Sequence, residues 1–343
     1  MRLVYLFGNG FDLHVGLKTG YPDFLKYYLQ QAEPANLDEV GKRYIRRLKE
    51  DIKGNIELWS DLELQFGKHT ARFGTMGKEV HTLQEELDIV NDDIRDHLSK
   101  YIRQEDNRVL FPDSAHDAFI KDLVNPERHL RDFEIDNILA KRRNVWVRTA
   151  NQIDIVTFNY THTIERLLAS TPVQAHNFTI NEPIHVHGYH DNRMIFGVND
   201  TSQIENKDLR KLIFATDALV KSDCNHTYGD GHTNACANVI SQAQLLCCYG
   251  LSLGDTDKLW WNRICDTLRR NVDMIVILYL FMKDNINYSN NGHKLQQKRR
   301  EFAEKLLVQG GIAESERNML SARIYVSIND PIFNIHINER TDE

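Results

Sequence analysis

The first 24 residues, MRLVYLFGNGFDLHVGLKTGYPDF, set the reading of the rest. Residues 2–7 are apolar and partly β-branched, and the run stops at Gly8-Asn9-Gly10. A short apolar run closed by glycine is the pattern of a central strand that turns tightly into a helix. In an open parallel sheet, ligands bind beyond the carboxyl ends of the strands. Residues without a Cβ there let backbone amides come close to a phosphate. Gly8, Asn9, Gly10, Phe11 and Asp12 are therefore candidate ligand-binding residues. The stretch is not G-x-G-x-x-G, because Leu13 holds the third position, and the chain has no Walker-type Gly-Lys-Ser/Thr. A purely structural turn accounts for a bare Gly-X-Gly equally well.

Beyond the opening the character changes. Leu37, Val40, Tyr44, Leu48 and Ile52 recur at helical spacing, as do Val80, Leu83, Leu87, Val90, Ile94, Leu98 and Tyr101. The spacing predicts four to six helices, with KRYIRRLK as a solvated helix face. From Val145 strand-like runs return: VWVR, IDIVTFNY, PIHVHGY, MIFGV, AQLLCCYG, MIVILYLF and ARIYVSI, several separated by helical patterns. Alternation of this kind predicts an α/β, Rossmann-like, mainly parallel sheet covered by helices. Residues 1–32 and 145–343 would form that core, and 33–144 an inserted helical lobe. SNNGH near Tyr288 reads as a surface loop.

Lys+Arg 42 against Asp+Glu 49 leaves a net charge of −7 over 343 residues. A mildly acidic chain has no global pull towards phosphate backbones, so a nucleic-acid partner is not expected. The longest apolar run, Met274 to Met282, is about half the roughly 20 residues of a membrane-spanning helix. The N-terminus lacks a signal-peptide layout, and five cysteines without a staple-like framework read as reduced thiols. A cytoplasmic protein without a membrane partner is the expectation.

Three further stretches place polar or small groups at strand ends: TFNYTHTIE with Thr157 and Asn159, HVHG with His187 and Gly188, and CYGLSLGDTD with Gly250 and Ser252. Their convergence is what a nucleotide site at the top of such a sheet requires. Each also has a plain reading: Asn159 as the cap of the helix TIERLL, Asp12 and Asp257 as turn residues, the histidine as a hydrogen-bonded structural group. His185, His187 and His190 lie close together, but without the acidic neighbours of a known metal site. CNHTYGDGHTNAC reads as a loop. Its Cys224, His226, His232 and Cys236 are zinc-ligand types at a spacing that fits no finger pattern, so no metal is assigned. Trp59, Trp260 and Trp261 are expected to pack between sheet and helices, or else to line an entrance.

GNGFDLHVGLKTGYPDF, the later WSDLE and the late YGLSLGDTD resemble the AbiH-type phage abortive-infection proteins, over nearly the whole chain. The same motifs are distantly similar to the sirtuin-like superfamily, whose members bind NAD in a Rossmann-like domain. That resemblance matches Gly8-Asn9-Gly10 to a Gly-Ala-Gly loop and Pro22-Asp23-Phe24 to a Pro-Asp-Phe element. It also matches Asn159 to an asparagine after a Thr-X pair, His187-Gly188 to a histidine-glycine pair, and Gly250-Leu251-Ser252 to a Gly-X-Ser loop. The chain lacks the CxxC zinc module of sirtuin deacylases, Leu25 replaces their arginine, and Asp12 stands where a small hydroxyl residue is usual. These departures argue against deacylation and fit the sirtuin-like antiphage proteins that destroy NAD.

The resemblance therefore implies an NAD+ glycohydrolase that releases nicotinamide and ADP-ribose on infection, with NAD+ as substrate and no added cofactor. Backbone amides at Gly8, Asn9 and Gly10, with Gly250 and Ser252, would hold the pyrophosphate. Asp23 would accept the nicotinamide amide, Asn159 would orient a water, and His187 would act as base. The alternative is a non-catalytic nucleotide sensor whose helical lobe docks a partner. A phage trigger protein and self-association are the expected ways of gating such an activity.

Overall fold

Arg2–Phe7 (β1) is buried on both faces, as a strand in the middle of a parallel sheet must be. The computed structural model describes residues 1–74, 82–148, 150–169, 174–175, 177–228, 231–282, 290–335 and 337–339. Val80 and Ser289, which belong to patterns named above, lie outside the described residues. The remaining strands are Val109–Leu110 (β2), Gln152–Thr157 (β3), Gln174–Ala175 (β4), Phe178–Ile180 (β5), Ile184–His185 (β6), Leu245–Tyr249 (β7), Ile275–Leu280 (β8), Ile324–Ile328 (β9) and Asn338–Glu339 (β10). Eight of them make one sheet in the order β4-β5-β3-β1-β7-β8-β9, with β6 also on β3. Only the β4–β5 pair within it is antiparallel.

β5 and β6 are one strand interrupted. β5 pairs with Gln152 and Ile153, β6 with Val156 and Thr157. Pro183 lies in the interruption, where a ladder N–H is missing, and Asn181 donates across it to Asp154 at 2.7 Å. Counted along the chain, the parallel strands then run 3-2-1-4-5-6. That is the doubly wound order of a Rossmann fold, which reverses direction between β1 and β7. The expected α/β, Rossmann-like class is the class observed.

The chain forms two compact units: Met1–Gly16, Val109–Val186 and Gly231–Glu343 in one, Leu17–Arg108 and His187–Asp230 in the other. The first holds the sheet. Alternate residues Val4, Leu6, Leu246, Cys248, Val276 and Leu278 pack against the helices His232–Ser241, Lys258–Arg270 and Gly292–Gln309. Trp260 and Trp261 lie in that layer as core residues, and the Trp261 indole donates to the Gly254 carbonyl. On the opposite face Tyr5, Phe7 and Tyr249 meet Phe11, Phe119 and Phe333 in one aromatic cluster. Tyr5 donates to the Leu123 carbonyl and Tyr279 to that of Pro126. These bonds and Phe119 tie residues 109–144 to the sheet, so those residues group with it rather than with the helices before them.

The second unit is built on the helices Tyr21–Tyr28, Glu39–Gly54, Leu62–His69 and Leu83–Arg108, followed by Ile213–Leu219 and Lys221–Thr227. Tyr44, Leu48 and Ile52 bury one face of Glu39–Gly54, while Arg43 and Arg46 of KRYIRRLK face solvent. Trp59 is buried in this unit.

Three local expectations are corrected. VWVR is a 3-10 turn, Trp146–Arg148, and not a strand. Its exposure does alternate, with Trp146 buried between exposed Val145 and Val147, but it pairs with no strand among the described residues. MIFGV is wholly buried but forms no strand among the described residues, where Val198 makes an isolated bridge to Val220. Most of CNHTYGDGHTNAC is helical, in Lys221–Thr227 and His232–Ser241, while Gly229 and Asp230 lie outside the described residues.

Candidate functional site at the strand exits

The register sets four strand ends side by side: Tyr249, Phe7, Thr157 and His185 are successive partners across β7, β1, β3 and β6. The first residues beyond them are Gly250, Gly8, Phe158 and Val186. All four stretches singled out in the sequence thus leave the sheet in one row spanning the place where the strand order reverses, although His187 and Gly188 of HVHG already group with the other unit.

Within that row the glycines have a definite task. Gly8 donates its amide to the Tyr249 carbonyl and Gly10 to the Gly250 carbonyl, both at 2.9 Å. A Cβ on Gly10 would stand 2.6 Å from the Cα of Gly250, and one on Gly250, whose φ is +69°, would stand 2.4 Å from the Phe11 nitrogen. The two loops meet backbone to backbone. The amides of Gly8 and Gly10 are therefore engaged with protein carbonyls, unlike the phosphate-holding role expected for them. Phe11 sits beneath the turn with its ring 4.8 Å from Phe7 and 5.8 Å from Tyr249, centre to centre, and pins the helix Asn9–His14 to the sheet. Burial pushes the Tyr249 phenol up, keeping it neutral.

Asp12, on that helix, is 1% exposed. Its Oδ2 accepts from the Thr161 hydroxyl at 2.8 Å, and Thr161 in turn accepts from Thr163 at 3.1 Å. Asp12 is thus a buried carboxylate fed by a hydroxyl chain, not a surface turn residue. Ser252 is exposed on the loop after β7, and its carbonyl accepts from Lys305 Nζ at 2.8 Å.

Asn159 is 5% exposed, and neither its Oδ1 nor its Nδ2 meets a hydrogen-bond partner among the described residues. The helix that follows is Thr163–Leu168 with His162 at its N-cap position, so Asn159 does not cap it. Its backbone is fixed at both ends: the N–H donates to Thr157 Oγ1 at 3.2 Å, and the carbonyl faces His185 Nδ1 at 2.9 Å. His185 Nε2 meets Glu165 Oε1 at 2.6 Å. A buried carboxamide without partners costs about 1–3 kcal/mol for each group left unmet. Such an exception calls for a ligand, a water or a strained role.

The remaining predicted residues belong to the other unit. Pro22 and Asp23 lie in the first turn of Tyr21–Tyr28, where the Asp23 carboxylate pairs with Lys26 at 3.3 Å and is well exposed. His187 is buried, and its carbonyl accepts from the Ile195 amide at 2.8 Å. Gly188, at φ +71°, makes the turn after it. Of the four zinc-type residues, Cys224 and His226 lie in this unit and His232 and Cys236 in the sheet unit; the two cysteines are buried and the two histidines exposed, and the Cys224 thiol donates to the Asp217 carbonyl.

Sequence reasoning missed Glu165, Thr161 and Lys305, and passed over His185 in favour of His187. The HVH stretch carried a signal for His185, because the first histidine is the one still on the strand. Nothing local marked Glu165, which reads as an ordinary residue of an amphipathic helix.

The family described as bacteriophage abortive infection AbiH matches residues 4–279, which include every residue of the strand-exit row. No curated protein matches the chain. Among the described residues no helix is long and apolar enough to cross a membrane.

Proposed function

This chain belongs to the AbiH family of bacteriophage abortive-infection proteins, and from that premise we propose that its strand-exit row binds NAD+ and hydrolyses the nicotinamide–ribose bond during infection. The observation that carries the reading is the buried Asn159 carboxamide, without a hydrogen-bond partner among the described residues, at the exit of β3, one strand from the β1–β7 reversal of a Rossmann strand order. Dinucleotides bind such sheets across that reversal.

With the Gly8 and Gly10 amides engaged, Ser252 and Lys305 join Asn9 and Gly250 in meeting the pyrophosphate, the ammonium as a point charge. The C1′–N bond breaks with its electron pair passing to the pyridinium nitrogen, so nicotinamide leaves neutral and needs no general acid. The carboxamide of Asn159 accepts from and donates to the attacking water or a ribose hydroxyl, holding it against the developing oxocarbenium face. The water oxygen bonds to C1′ and its proton is released, giving ADP-ribose.

An unpartnered carboxamide also suits a sensor that binds the nucleotide without turning it over. One experiment separates the two: cellular NAD+ is followed by chromatography after phage challenge, with wild-type protein and with Asn159→Ala. Loss of NAD+ and release of nicotinamide in the wild type alone supports hydrolysis. Equal protection by both proteins with NAD+ constant refutes it. Protection that is lost in the variant at constant NAD+ leaves the sensor.

A further inference from the structure

We infer that His185 is a positioning residue whose Nδ1–H sets the Asn159 peptide, and that Glu165, in contact with Nε2, holds the ring in the orientation this requires. The inference rests on the proposed role of Asn159 and assigns how that side chain is aimed.

Asn159 lies two residues past the end of β3, in a connection with no regular backbone pairing of its own. Its carbonyl can only accept, so the His185 nitrogen facing it at 2.9 Å carries a proton. Glu165 Oε1, 2.6 Å from Nε2, holds the ring from its other side. Two acceptors do not approach so closely without a proton between them, so the pair shares one on that line. His185 is 2% exposed and stands on β6, in register with Thr157 of β3. Thr157 Oγ1 takes the Asn159 N–H. The peptide is thus held from both strands while its carboxamide bonds to none of the described residues, which is the arrangement that fixes the direction of a reacting side chain.

The test uses two amide replacements of His185 in the full chain. The Nδ2 of His185→Asn falls near the Nδ1 position and keeps the donor to the Asn159 carbonyl. The amide of His185→Gln falls near Nε2 and keeps only the Glu165 contact. For NAD+ turnover, His185→Asn is expected within about threefold of wild type, and His185→Gln is expected to lose about 100-fold in kcat with KM changed less than threefold. Equal loss in two folded variants, or a loss confined to KM, overturns the inference. Ring-nitrogen NMR of histidine-labelled wild type, assigned with His185→Gln, gives a readout independent of turnover. A proton on Nδ1 at neutral pH is expected, and an Nε2-only tautomer refutes the inference whatever the activity. Nδ1 protonation in a protein without NAD+ turnover refutes the hydrolase reading instead.

Discussion

Gly10 donates its amide to the Gly250 carbonyl across 2.9 Å, and a methyl group on either residue would enter the backbone of the other loop. This contact seals the loops after β1 and β7 at the reversal of the sheet. Gly250→Ala adds a positive-φ penalty to the clash. It is expected to destabilise the protein by about 2–4 kcal/mol in urea unfolding. Gly292→Ala, where nothing lies within 4 Å of the new Cβ, is expected to stay within about 0.5 kcal/mol of wild type. Equal effects would show that the loops do not depend on the contact.

Asn159 offers a separation of stability from function. Its carboxamide contributes no hydrogen bond to the folded protein. Asn159→Ala is therefore expected to leave the urea midpoint unchanged or to raise stability by about 1 kcal/mol, while abolishing NAD+ consumption. A variant destabilised by more than about 2 kcal/mol would mean that the side chain has a structural partner.

What could be read from the sequence, and what could not, follows from how local each signal is. β1, β7 and β8 were legible because continuous apolar runs of this length have few other uses than buried strands. VWVR carried the right burial at Trp146 and the wrong backbone, since alternation reports exposure and not pairing. Asn159 was found from its place after a strand. The Glu165–His185 contact joins residues 20 apart that meet only because β6 lies beside β3. The fate of the Gly8 and Gly10 amides was equally hidden, as it depends on a loop some 240 residues later in the chain.

All five cysteines are buried and free. Burial pushes the Cys224 thiol up to about 11 and the Cys265 thiol up to about 12, and raises Cys247 and Cys248 as well. Since the thiolate is the reactive form, native protein at pH 8 should take up essentially no iodoacetamide over an hour. Denatured protein should take up five labels, counted by intact mass. Rapid labelling of the native protein at Cys224 would place that thiol in an exposed, thiolate-favouring setting.

His69 supplies a pH dependence whose sign can be worked out. Burial lowers its pKa to about 4, against the opposing hydrogen bond to Asp51 at 2.7 Å, with Arg47 and Arg72 lowering it further. The unfolded chain protonates this histidine near the ordinary value of about 6.5. Between those two values the unfolded state binds the extra proton, so the contribution is complete above pH 6.5 and is lost as the pH falls towards 4. The loss amounts to roughly 3 kcal/mol over that window. His69→Asn keeps a donor near the Nδ1 position for Asp51 but has no proton to gain. Urea unfolding at a series of pH values should therefore give a flatter acid limb for the variant, whatever its stability at pH 7. Parallel limbs for the two proteins would show that His69 is already protonated, or already solvated, in the folded state.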